Sequence, residues 1–276
     1  MKCNFMSREF WKYFLASVGT ISSVVTLISF VFEWKNPGFW WITLYITAVV
    51  LISGIFAGWQ TWRKTSLDLK ISNTLNVRVK EGDLFDCVGN GNYVVIPVNE
   101  YFDTIVNETI INRGTVHGQF IQKYYGDEHS LLHEETEAFF AENKIKGKDV
   151  SRKGSEGYKK KYPLGTCAII KKADTNFVLL ASTHFDEEDH AYVELSELGR
   201  NISSMCKFLA DKVEDKPVYM PLMGMGMSRL NQSGQFILKY TLDTIVGIKD
   251  LAISKGINIV VYPPVAKTLN LNEIKY

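Results

Sequence analysis

Residues 93–99, Tyr93-Val94-Val95-Ile96-Pro97-Val98-Asn99, form a continuous apolar run that stops at an asparagine. A run this short and this apolar reads as a strand buried on both faces, the usual state inside a mainly parallel sheet. Working outward, residues 77–80, 166–171, 177–181, 217–221 and 257–262 are further strand candidates. Helical patterns lie between them at 115–125, 192–210 and 234–253; in the second, apolar side chains recur at 195, 198, 202, 205, 206 and 209. The alternation predicts an α/β fold with a mixed sheet and helices on both faces.

The first quarter of the chain is written for another solvent. The 276 residues carry 31 basic and 30 acidic side chains and are 46% hydrophobic, a balance that excludes a disordered, collagen-like or nucleic-acid-coating protein. All six tryptophans nevertheless fall within the first 62 residues, and no charge occurs between Lys12 and Glu33 or between Lys35 and Arg63. A bilayer core roughly 30 Å thick needs about 20 apolar residues in a helix, so two membrane spans are expected near 13–32 and 39–59. Trp11, Tyr13, Phe32 and Trp34 rim the first; Phe39, Trp40, Trp41, Trp59 and Trp62 rim the second, as the membrane interface selects. Lys2, Arg8 and Lys12 precede the hairpin and Arg63, Lys64 and Lys70 follow it, which places both termini in the cytoplasm. Cys3, Cys87, Cys167 and Cys206 form no closely spaced pair, as expected of reduced thiols.

The spans carry small-residue faces, Gly54 to Gly58 in the second and Gly19, Ser22, Ser23, Thr26 and Ser29 in the first. Such faces either pack the two helices of one hairpin together or remain for contacts between copies. The expected division is a two-span hairpin over 1–62, a polar juxtamembrane linker over 63–75 and one α/β domain over 76–276. Within that domain 127–161 reads as a charged insertion without a clear strand, and 144–161 holds eight basic residues against Asp149 and Glu156. It is read as a solvated loop, with an anion or lipid contact as the alternative. His129 and His133, four apart, suit a metal on one helix turn or simply a solvated helix face, and no metal is expected.

Three short stretches carry chemistry. Asp83, in Lys80-Glu81-Gly82-Asp83, ends a strand with a carboxylate able to accept from an exocyclic amine. Arg113-Gly114-Thr115-Val116-His117-Gly118 opens a helix, where glycine admits close backbone approach and the first N–H groups suit an anion. Pro221-Leu222-Met223-Gly224-Met225-Gly226-Met227 repeats that arrangement before another helix.

In this order the stretches resemble a macro domain, the ADP-ribose-binding module, from about residue 77 to about 263. The resemblance implies adenine at Asp83 and the distal ribose at Asn99. It further implies one phosphate loop at Gly114, Thr115, Val116, His117 and Gly118 and another at Met223, Gly224, Met225, Gly226 and Met227. Glu100-Tyr101-Phe102 after Asn99, and Asn112-Arg113 before Gly114, depart from the asparagine pair and glycine run of hydrolytic relatives. Arg229 stands near where relatives often place an aromatic residue against the ligand.

A two-span hairpin joined to such a domain is similar to the membrane effector of type II Thoeris antiphage systems. That likeness implies a bacterial inner-membrane protein that senses an ADP-ribose conjugate, histidine-ADP-ribose, supplied by a TIR-domain NAD-consuming partner. Self-association and damage to the lipid bilayer would follow, with no catalysis, cofactor or nucleic acid. A membrane-anchored ADP-ribosylhydrolase and a passive tether for ADP-ribosylated partners remain as alternatives.

Overall fold

A computed structural model of the chain describes residues 8–31, 39–60, 64–152, 156–186, 188–226, 230–274 and 276. Lys2, Cys3, Phe32, Trp34, Lys35, Trp62, Arg63, Met227 and Arg229, all used above, lie outside the described residues. The chain divides into two units, 1–64 with 270–275, and 65–269 with 276.

In the first unit, helices α1 (Arg8–Val31) and α2 (Phe39–Gln60) pack on each other. Both are long and apolar enough to cross a membrane, over Phe10–Ile28 and Trp40–Trp59. On α2 the buried positions are Val49, Ser53 and Ala57, one helical face at a spacing of four. Trp11, Leu15 and Leu27 on α1, and Trp40, Leu44, Ile55 and Trp59 on α2, point outward.

The second unit runs β1 (Ser66–Lys70), β2 (Leu75–Glu81), β3 (Tyr93–Asn99), α3 (Val116–Tyr124), α4 (His129–Glu142), β4 (Lys148–Asp149), β5 (Lys160–Lys161), β6 (Cys167–Lys172), β7 (Thr175–Phe185), β8 (Ala191–Tyr192), α5 (Leu195–Ala210), β9 (Val218–Pro221), α6 (Gly234–Val246), β10 (Ile253–Val261) and α7 (Pro263–Ala266). The main sheet has the order β1-β2-β10-β9-β3-β7-β6, with β8 beside β7. Neighbours from β2 to β7 are parallel, whereas β1 and β6 close the edges antiparallel. Val94, Val95 and Ile96 are wholly buried, as the apolar run requires. Phe120 and Tyr124 of α3 pack on Phe177 of β7 on one face, while α5 buries Ile202, Met205, Cys206 and Leu209.

Four expectations are corrected. The stretch 63–75 is not linker throughout, because Leu67 and Leu69 alternate with polar residues and β1 pairs with β2 along Ser66–Lys70, extending the sheet upstream of 76. The helix expected over 234–253 ends at Val246, where Gly247 caps it and Asp250 turns the backbone left-handed at φ +57° before β10. The helix expected from 192 begins at Leu195, fixed by a reciprocal Glu194/Glu197 capping box, and Tyr192 belongs to β8. The insertion 127–161 is folded into the domain: α4 buries Leu132 and Phe140, and Phe102, Phe140 and Tyr162 form one aromatic cluster. Two of its lysines pair with acids, Lys160 with Glu137 and Lys161 with buried Glu100. His133 stacks on Tyr158 with ring centroids 3.6 Å apart, and His129 Nδ1 lies 3.4 Å from the Thr104 hydroxyl.

Candidate functional site

The parallel strands all end on the same side, and a cavity of 570 Å³ runs along that edge. Its lining follows the sheet order: Asp83 after β2, Val261 and Tyr262 at β10, Pro221 to Gly226 after β9, Asn99 at β3, and Ser182, Thr183 and Phe185 on β7. Four inter-strand steps of about 4.8 Å separate β2 from β7, so the trench is roughly 19 Å long, with Asp83 at one end and β7 at the other. The carboxyl edge of a parallel sheet is where ligands bind in open α/β folds.

At the β2 end, Asp83 is exposed and Oδ1 accepts from Phe85 N–H at 2.9 Å, capping a single 3-10 turn, Leu84–Cys87. Its other oxygen has no hydrogen bond among the described residues and is left for a donor in the cavity. Tyr262, 67% exposed, adds an aromatic face at the mouth. The sequence reading did not single it out. The signal was the same as for Asp83 and Asn99: a residue immediately after an apolar strand.

The first glycine loop works more narrowly than expected. Gly114 N–H donates to Asn112 Oδ1 at 2.8 Å and Thr115 N–H to Asn112 O at 3.1 Å. Thr115 Oγ1 donates to that same carbonyl and accepts from Gly118 N–H at 3.0 Å as the N-cap of α3. Only Val116 and His117 keep N–H groups without an acceptor among the described residues. Gly118 does not line the cavity. It is buried, and a Cβ there would stand 2.3 Å from the Asn112 carbonyl, so its glycine serves packing. The second loop is freer: the N–H groups of Gly224, Met225 and Gly226 have no acceptor among the described residues. Gly224 adopts φ +86°, and a Cβ there would stand 2.8 Å from Leu230, whereas a Cβ at Gly226 would meet nothing within 4 Å.

Asn99 is less available than its place suggested. Oδ1 accepts from Tyr101 N–H at 3.0 Å and Asp103 N–H at 3.3 Å, and Nδ2 donates to Asp103 Oδ2 at 3.0 Å, leaving one amide proton for a ligand. His117 is buried at the start of α3, and burial pushes its imidazole down to about 3, so it is neutral at pH 7. Among the described lining residues Asp83 is the only one with a charged side chain. Among the described lining residues, the groups that suit an anion are therefore backbone N–H groups and the α3 terminus.

The family model described as "Thoeris protein ThsA, Macro domain" matches residues 77–262. The chain belongs to the Thoeris ThsA macro-domain family. Among curated relatives, "Thoeris protein ThsA" of Bacillus amyloliquefaciens (strain Y2) is 34% identical over 157 residues, 57% of this chain and 51% of the relative. The chain thus spans about half the length of that ThsA protein. Among solved structures, an Oceanobacillus iheyensis macrodomain variant with ADPR is 12% identical, covering 74% of this chain and 94% of that one with TM-score 0.47. The same organism's macrodomain with ADP is 14% identical, covering 74% and 92% with TM-score 0.45. The ThsA macro-domain match covers every motif read from the sequence, from Asp83 through Asn99 and the first loop to Gly226.

Proposed function

We propose that this chain is a membrane-anchored sensor in antiphage defence that binds an ADP-ribose conjugate, histidine-ADP-ribose being the form implied by its Thoeris likeness. The observation that carries the reading is the trench itself, with a carboxylate oxygen and a tyrosine at one end, two loops whose N–H groups at Val116, His117, Gly224, Met225 and Gly226 have no acceptor among the described residues, and Asn99 toward the other. That sequence of groups suits adenine, diphosphate and terminal ribose in turn. The hairpin α1–α2 spans the inner membrane with both termini in the cytoplasm, and ligand-bound copies associate and breach the bilayer. A TIR-domain enzyme that consumes NAD supplies the ligand.

Binding is favoured over hydrolysis by two observations. Asn99 gives its oxygen and one amide proton to its own loop, leaving a single donor, and an imidazole held near 3 is a poor general base at neutral pH. The test is thermal shift of the full chain in detergent with ADP-ribose, histidine-ADP-ribose and NAD, followed by chromatography of the recovered ligand. Stabilisation by an ADP-ribose compound recovered intact is expected. No shift with any of the three would overturn the site, and stoichiometric release of ADP-ribose, lost in His117→Gln, would establish the hydrolase instead.

A further inference from the structure

The β7 end of the trench is held by a side chain that belongs to neither of the strands forming it. Arg152 lies between β4 and β5, in the stretch read from sequence as solvated, yet its side chain is only 7% exposed. Nη1 donates to both oxygens of Asp103, at 3.1 and 2.8 Å, and to the Tyr158 carbonyl at 3.1 Å. Nε donates to Asp189 Oδ1 at 2.8 Å, with Nη2 2.7 Å from the same oxygen. The guanidinium lies 4.2 Å from the centroid of Tyr101 and 5.2 Å from that of Phe185. The surrounding backbone is fitted to this pair: a Cβ on Gly157 would stand 2.2 Å from Nη1.

Each partner leads to a cavity wall. Asp103 accepts from Nδ2 of Asn99, which lines the β3 side. Asp189 sits in the turn between Phe185 and Ala191, which line the β7 side, and Phe185 is also one of the rings under the guanidinium. Burying a cation between two buried carboxylates carries a large desolvation cost, and the planar five-donor fork of arginine fixes both carboxylates in direction as well as distance. We propose that Arg152 is a positioning residue for the terminal-ribose end of the ligand. It clamps the Asn99 loop to the 186–190 turn and so sets the width of the subsite for the terminal ribose and the group joined to it, leaving the adenine and diphosphate end untouched.

This rests on the reading of the trench as an ADP-ribose site, and the experiment separates the two. Titration calorimetry on the full chain in detergent compares wild type, Arg152→Gln and Asp189→Asn, with ADP-ribose and ADP as probes. Asp189 sits at φ +60°, which asparagine tolerates, so the second variant removes the charge of one arm of the clamp while keeping an acceptor oxygen and the backbone, and decides the question if the first fails to fold. The expected result is an ADP-ribose affinity weakened about tenfold or more in Arg152→Gln and less in Asp189→Asn, as loss of a buried charged hydrogen bond implies, with ADP affinity unchanged within about twofold. Equal loss of both probes, or undiminished ADP-ribose binding in a folded variant, overturns the positioning role. Failure of the wild type to bind either probe overturns the site reading instead.

Discussion

Two glycines in one loop answer to different demands, and substitution separates them. Gly224 holds a positive φ with side chains close to where its Cβ would fall, while Gly226 faces open space beside the cavity. Gly226→Val is expected to keep the unfolding midpoint and lose ligand affinity. Gly224→Val is expected to lose about 1–3 kcal/mol of stability as well, the usual cost of a strained backbone, measured by thermal unfolding alongside calorimetry. Asp83 also has two roles, one per oxygen. Asp83→Asn keeps an oxygen to cap Phe85 N–H but turns the free acceptor into a donor, so ADP-ribose affinity should fall with stability unchanged; Asp83→Ala should lose the cap too, about 1 kcal/mol. His117 gives the domain a pH dependence of known sign. Its folded value near 3 lies below about 6.5 for the unfolded chain, so the unfolded state takes the proton first and stability is lost as pH falls from about 6.5 towards 3. His184 acts in the opposite sense: burial opposes its charge, but Glu100 and Glu197 hold its pKa above the ordinary value, so its contribution is lost as pH rises through the folded value. Melting curves between pH 7.5 and 4.5 should therefore flatten in His117→Gln, and an unchanged slope would contradict the burial argument.

Strand β1 is the element whose removal is most informative. It covers the outer edge of β2 over Ser66–Lys70, and without it a row of backbone groups on a buried-core strand is left unpaired. A fragment beginning at residue 71 should melt lower and aggregate faster than one beginning at 64, read by light scattering during a thermal ramp. On α2, Val49, Ser53 and Ala57 are the buried positions, and a Cβ at Gly54 would meet nothing within 4 Å.

On the proposed function, the question for the whole molecule is coupling between ligand and bilayer. A ligand drives assembly only by favouring the assembled state, and moving a two-state unit from 1:99 to 99:1 takes about 5.5 kcal/mol of differential binding. Several copies sharing that requirement make it attainable, and close helix contact in lipid then depends on small residues. Gly54→Leu combined with Gly58→Leu should leave ADP-ribose affinity unchanged and abolish ligand-triggered dye leakage from liposomes. Leakage that persists at equal membrane insertion would mean that this face plays no role in assembly.

Features that depend only on neighbours along the chain are legible in the sequence. The charge-free runs between Lys12 and Glu33 and between Lys35 and Arg63 specify two apolar helices, because burial of a helix is written in composition. Apolar runs ending in Asp83, Asn99 and the Met223–Gly226 turn specify strands whose ends line the cavity, because strand period and turn chemistry are local. The order β2-β10-β9-β3-β7, which turns those ends into one trench running from Asp83 to Phe185, is a product of tertiary packing. So are the recruitment of Leu67 and Leu69 to the sheet and the inward turn of Arg152 toward Asp103 and Asp189. Those pairings link residues distant in the chain, and a charged side chain has the same local signature whether it ends in water or against a buried carboxylate.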